Sequence, residues 1–98
     1  MKMVEVTVKF YGQLKSVVNE KSKRVKLNHY NLVGSLVDTL IQHYGELLKD
    51  ELIDPQTHQL NTFTQIFVNK QNLTSLQGLK TELKEGDHVI FLPPFAGD

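Results

Sequence analysis

Apolar residues in the middle of the chain fall at Leu32, Val33, Leu36, Val37, Leu40, Ile41, Tyr44, Leu47 and Leu48. Spacings of three and four put them on one face of a helix. Asn31 predicts the N-cap, and Gly45 marks the end of the regular part or is absorbed near it. Strand-like segments flank this helix on both sides. One long helix covers one face of a sheet and leaves the other open. The stripe therefore reads as core packing in a two-layer α+β domain.

The flanking segments supply the sheet. Residues 3–10 alternate, with Val4, Val6, Val8 and Phe10 on one side and Glu5, Thr7 and Lys9 on the other. That is the period of a half-buried strand. Tyr11-Gly12 opens a turn, and Leu14, Val17 and Val18 predict a partly buried connection. Val25 and Leu27 alternate within a second strand at Arg24–Leu27. After the helix, residues 49–64 are mostly polar and contain Asp54-Pro55. A second short helix is expected around Lys49–Ile53, followed by an exposed excursion, because long structureless loops are uncommon in compact domains. Gln65–Asn69 reads as a third strand, Asn69-Lys70-Gln71-Asn72 as a turn, and Leu73 as the start of a short return strand. Leu76, Leu79 and Leu83 are spaced to pin a one-turn helix or loop under the sheet. Lys84-Glu85-Gly86-Asp87 is a turn before a last strand at His88–Leu92. The order predicts a mixed sheet with one main helix packed on one face.

Composition removes several function classes. The chain has 98 residues, enough for one small domain, with 11 basic and 11 acidic residues and no net charge. A nucleic-acid footprint is not expected from that balance. The densest basic cluster, Lys21-Ser22-Lys23-Arg24, reads as a solvated hairpin turn. The longest apolar run, Val89–Leu92, is far short of a membrane span. The N-terminus enters a strand pattern at once, so no signal peptide is expected and the chain reads as cytosolic. There is no cysteine, hence no thiolate chemistry. His29, His43, His58 and His88 come from four different segments and match no metal-ligand spacing. Asp50, Glu51 and Asp54 read as solvated surface. No bound cofactor and no self-contained active site are expected.

What remains is the open sheet face and the end of the chain. If Val89 and Phe91 face the helix, Ile90 and Leu92 face outward. By the same alternation Ile66 and Val68 are core and Phe67 is outward. Tyr11 lies opposite Phe10. Tyr11, Phe67, Ile90 and Leu92 then form an apolar patch, of the kind that marks a partner interface. From Leu92 the chain runs into Pro93-Pro94-Phe95-Ala96-Gly97-Asp98. Two prolines donate no backbone hydrogen bonds and disfavour helix. These six residues read as an extended arm separate from the domain at 1–92, reaching roughly 20 Å when fully extended.

These segments resemble the MoaD/ThiS family of ubiquitin-like sulfur carriers. The matching stretches are Val8-Lys-Phe-Tyr-Gly-Gln-Leu14, the helix Leu32–Tyr44, Val68-Asn69, Leu79-Lys-Thr-Glu-Leu-Lys-Glu-Gly-Asp87 and Val89-Ile-Phe-Leu-Pro-Pro-Phe-Ala-Gly97. The resemblance implies a β-grasp fold. The length and the Pro-Pro tail look most like the small subunit of molybdopterin synthase. The implied role is to carry sulfur for molybdenum cofactor biosynthesis. A MoeB/ThiF-like activating enzyme uses ATP to adenylate the C-terminal carboxylate, and sulfur converts it to a thiocarboxylate. A MoaE-like large subunit then receives the tail. Gly97 and Asp98 fall at the reacting end. Pro93, Pro94, Phe95 and Ala96 fall in the inserted tail, and Tyr11 and Leu92 at docking positions.

The family closes on Gly-Gly, and this chain closes on Gly97-Asp98. Glycine lets backbone pass a narrow channel; aspartate adds bulk and charge. The Asp98 side chain could also attack its own adenylated α-carboxyl and close a five-membered anhydride. Groups so placed act at effective molarities of ~10⁵ M or more. Two alternatives follow: a ubiquitin-like protein modifier, or a non-catalytic β-grasp binding module with altered tail chemistry.

Overall fold

The structure is a computed structural model that describes residues 3–27, 31–61 and 64–92. Strand β1 (Val4–Phe10) leads through helix α1 (Gln13–Val18) to β2 (Ser22–Leu27). Helices α2 (Val33–Tyr44) and α3 (Glu46–Leu52) follow, then β3 (Gln65–Val68) and β4 (Gln71–Asn72). Two short 3₁₀ turns, Leu73–Ser75 and Gly78–Lys80, precede β5 (His88–Leu92). The five strands form one sheet in the order β2-β1-β5-β3-β4. The β1–β5 pair is parallel and the other pairs are antiparallel. The mixed sheet predicted from the sequence is what forms.

The strand alternation sets the core. Val6, Val8 and Phe10 of β1 and Val89 and Phe91 of β5 are fully buried beneath Leu36 and Leu40 of α2, Leu14 of α1 and Leu48 and Leu52 of α3. Phe10 and Phe91 are cross-strand partners, with ring centroids 5.7 Å apart. Tyr44 closes one end, edge-on to Phe10 at 6.0 Å. Its hydroxyl donates to Glu20 Oε2 at 2.8 Å. Burial, then this bond and the Glu20 charge, push the phenol well above its ordinary value.

Three expectations need correction. The apolar stripe is two helices, because Gly45 sits at φ 88° and ends α2 while capping α3. That break resets the helical phase, so Leu47 is 68% exposed while Leu48 and Leu52 are buried. Leu32, not Asn31, occupies the N-cap position of α2, with no side-chain cap. Backbone holds this end instead. Leu32 bridges Glu82, the Val33 N–H donates to Thr81 O at 3.0 Å, and the Leu83 N–H to Asn31 O at 2.6 Å. The connection carrying Leu14, Val17 and Val18 is partly buried as expected and takes the form of α1, ended by Asn19 at φ 60°. Leu73 does not start a strand. The return strand is Gln71–Asn72, after which the Asn72 side chain accepts from the Thr74 N–H at 3.0 Å and turns the chain into a 3₁₀ helix. Of the three leucines expected to pin this region, Leu83 is buried, Leu76 half-buried and Leu79 39% exposed.

The polar stretch after α3 is tied down rather than loose. Asp54 N–H donates to Gln59 O and His58 N–H to Asp54 O, and Ile53 bridges Leu60. The Asn61 side chain donates to Glu51 O at 2.7 Å.

Candidate functional site

Helices α1, α2 and α3 share the core with one sheet face, and among the described residues the other face is open. Strand β5 lies between β1 and β3, so its outward residues sit mid-sheet. Ile90 is opposite Lys9 on β1 and opposite Phe67 on β3, and Phe67 is opposite Asn72 on β4. One row across the open face therefore reads Lys9, Ile90, Phe67, Asn72. Leu92 stands two residues further along β5, opposite Gln65. Tyr11 follows the Phe10–Phe91 pair, and its N–H donates to Phe91 O at 3.2 Å, which sets it level with Leu92. Phe67, Ile90 and Leu92 are half-buried with no helix of the described residues above them, and Tyr11 is 40% exposed. Phe67, Ile90 and Leu92 thus lie on one face, in two adjacent rows, and Tyr11 follows the end of β1 level with Leu92. Pro93, Pro94, Phe95, Ala96, Gly97 and Asp98 lie outside the described residues.

The other end of the same face holds a second feature. Asn69 and Lys70 form a two-residue hairpin turn between the paired residues Val68 and Gln71. Both have positive φ, 50° and 74°, as the tight primed turn of a right-twisted hairpin requires. Asn69 is clamped to the start of β5. Its amide donates to Asp87 Oδ1 at 2.8 Å, its carbonyl oxygen accepts from the His88 N–H at 2.9 Å, and its own N–H donates to His88 O at 2.8 Å. Asp87 Oδ2 accepts from the Lys84 N–H at 2.8 Å. Beside this clamp a hollow of about 370 Å³ is lined by Lys9, Asn69, Lys70, His88 and Ile90.

Sequence reasoning did not single out Lys9, Lys70 or His88. Part of the signal was present: Lys9 has the parity of Tyr11, and His88 that of Ile90. The missing part was that β1 and β5 are parallel neighbours. Among the described residues, no three His, Cys, Asp or Glu side chains gather as a metal site, and no helix is long and apolar enough to cross a membrane.

A five-stranded mixed sheet with parallel central strands, grasping one main helix, is the ubiquitin-like β-grasp architecture. The chain belongs to the ThiS family, whose model matches residues 8–97. It is therefore of the ubiquitin-like sulfur carrier and modifier class. Small archaeal modifier protein 3 of Haloferax volcanii is 28% identical over 98 residues, covering 96% of this chain and 99% of that protein. The solution structure of small archaeal modifier protein 1 from Methanosarcina acetivorans aligns with a TM-score of 0.86 at 25% identity, covering 100% of both chains. A chain in the crystal structure of the Amycolatopsis orientalis BexX/CysO complex aligns with a TM-score of 0.76 at 26% identity. That match covers 95% of this chain and 99% of the other.

Proposed function

We propose that this chain is a sulfur carrier, activated at its C-terminal carboxyl and converted there to a thiocarboxylate. The observation that carries this reading is the reach of the family match. It continues beyond β5 through Pro93-Pro94 to Gly97, so the likeness includes the segment that must react. The geometry adds support, because β5 ends at Leu92 beside an apolar patch able to dock a partner.

The chemistry asks nothing of a carrier side chain. In the first step a carboxylate oxygen attacks the α-phosphorus of ATP in a MoeB/ThiF-like enzyme. The bond to pyrophosphate breaks and an acyl-adenylate forms. Sulfide sulfur then adds to the acyl carbon, AMP leaves with one carboxylate oxygen, and a thiocarboxylate remains. The recipient favoured by the Pro-Pro tail is a MoaE-like large subunit of molybdopterin synthase. Reconstitution with that subunit and a pterin precursor tests the recipient, and absence of sulfurated product rejects it.

Intact mass after incubation with the activating enzyme, ATP and a sulfur donor tests the carrier role. The chain ending at Asp98, the Asp98→Gly variant and a chain stopping at Gly97 are compared. The latter two exchange one oxygen for sulfur, while the Asp98 chain yields less because its side chain intercepts the adenylate. If none of the three gains sulfur, the carrier reading is wrong.

A protein-modifier role is the second reading, favoured by the end-to-end likeness to the Haloferax modifier. It shares the adenylate and differs in what attacks next, a lysine amine instead of sulfide. Tail-derived isopeptides on cellular proteins, absent in a strain whose chain stops at Ala96, support it.

A further inference from the structure

We propose that the hollow beside Ile90 seats an acidic segment of the partner protein that covers the open face. Lys9 and Lys70 supply the charge, His88 lines the wall and Ile90 the apolar floor. The proposal rests on the reading that a partner docks on this face.

The hollow and the apolar patch share Ile90, and Ile90 is the cross-strand neighbour of both Lys9 and Phe67. A surface laid over Phe67 and Ile90 therefore also covers Lys9. Stripping water from an ammonium group is costly unless a counter-charge replaces it. The described residues do not provide one. Among the described residues, neither Lys9 nor Lys70 makes an ion pair or a side-chain hydrogen bond. The nearby Asp87 carboxylate is committed through both oxygens to Asn69 and to the Lys84 N–H. The partner must bring the carboxylates.

Ordinary solubility explains other basic residues better than these two. Lys23, Arg24 and Lys26 lie on β2, a sheet edge. Charge on an edge strand blocks unwanted strand pairing. Lys9 is on an interior strand. Lys70 occupies a turn position at φ 74° where glycine is the unstrained choice. It is the one lysine with positive φ among the described residues. Strain held at one residue that adds nothing to the core points to a use for its side chain. The hollow opens onto an apolar surface, so a protein segment fits it better than a small free anion, which would leave that surface wet.

The test is a titration of the ¹⁵N-labelled chain with poly-L-glutamate and, at matched ionic strength, with sodium phosphate. Poly-L-glutamate is expected to shift the amides of Lys9, Lys70, His88 and Ile90 ahead of all others. Phosphate is expected not to. The Lys9→Gln/Lys70→Gln variant is expected to keep its dispersed spectrum and lose these shifts. Three results overturn the proposal: shifts spread equally over Lys15, Lys49, Lys80 and Lys84; shifts undiminished in the double variant; or the same pattern with phosphate. With the activating enzyme, Lys9→Glu/Lys70→Glu is expected to raise KM for the carrier several-fold, with kcat following the wild type; an unchanged KM removes the partner side of the argument. Failure of all three chains, the one ending at Asp98, Asp98→Gly and the one stopping at Gly97, to gain sulfur rejects the carrier reading, and the titration still decides this one.

Discussion

The two faces of the sheet are built from the same strands and do opposite work. On the helix side Val6, Val8, Phe10, Val89 and Phe91 are fully buried. One residue away along the chain, Lys9 is exposed and Ile90 and Leu92 are half-buried, on the face that none of the described helices covers. A strand's period of two makes this separation possible. Folding energy is concentrated in one parity and leaves the other free to carry recognition. The face that holds the molecule together and the face proposed to meet a partner can therefore be tested separately.

The largest contrast is between neighbours on β5 and β3. Phe91→Ala empties a fully buried site stacked on Phe10. It is expected to cost about 3–5 kcal/mol, against a total stability on the order of 5–15 kcal/mol for a domain of this kind. Phe67→Ala removes a half-buried ring from the open face and is expected to cost about 1 kcal/mol. Urea midpoints of the two variants check this. Equal losses would mean that the open face also bears the fold.

Next in size is the clamp at the base of the open face. Asn69→Ala removes two side-chain hydrogen bonds, to Asp87 and from the His88 N–H, at a residue with φ 50°. The expected loss is about 2 kcal/mol, seen as a lower urea midpoint. Faster amide exchange at His88 would locate the damage at the start of β5.

Tyr44 sharpens the contrast from the helix side. Its phenol is raised above its ordinary value by burial and by its bond to Glu20. The unfolded chain loses this proton near pH 10, while the folded chain retains it to higher pH. The stabilisation is thus complete below about pH 10 and is lost as pH rises through the folded value. Tyr44→Phe is expected to cost about 1 kcal/mol at neutral pH. It should also flatten the alkaline fall in stability, measured by urea unfolding across that range. A variant as alkali-sensitive as the wild type would assign the fall to other groups.

Much of the inner face was legible in the sequence, because alternation is a local property. Val89 and Phe91 inward, Ile90 and Leu92 outward, and Phe67 outward between Ile66 and Val68 all follow from period two once one residue is placed. Features that depend on distant backbone were not legible. The stripe of apolar residues continues across Gly45 without revealing its positive φ. Asn31 has the chemistry of a cap, yet Glu82 and Thr81, some fifty residues on, hold that end of α2 through backbone contacts. At the site, the apolar half was visible because Phe67, Ile90 and Leu92 each alternate with buried neighbours on their own strand and are apolar where a solvated face would be polar. The cationic half needed two nonlocal facts, the parallel pairing of β1 with β5 and the left-handed turn at Asn69-Lys70.

Lys70 gives the smallest effect and the sharpest test of the separation. An L-residue in the left-handed region is strained by its Cβ, and glycine is not. Asn69 tolerates that region, which leaves Lys70, at φ 74°, as the position where glycine should help. Lys70→Gly is expected to raise stability by about 0.5–1 kcal/mol, read as a higher urea midpoint. The same change removes one of the two ammonium groups from the hollow beside Ile90. Poly-L-glutamate binding should weaken as stability rises. Opposite signs in one variant would mean that residue 70 is kept for what it meets and not for how it folds. A gain in stability with undiminished binding would return the turn to ordinary surface.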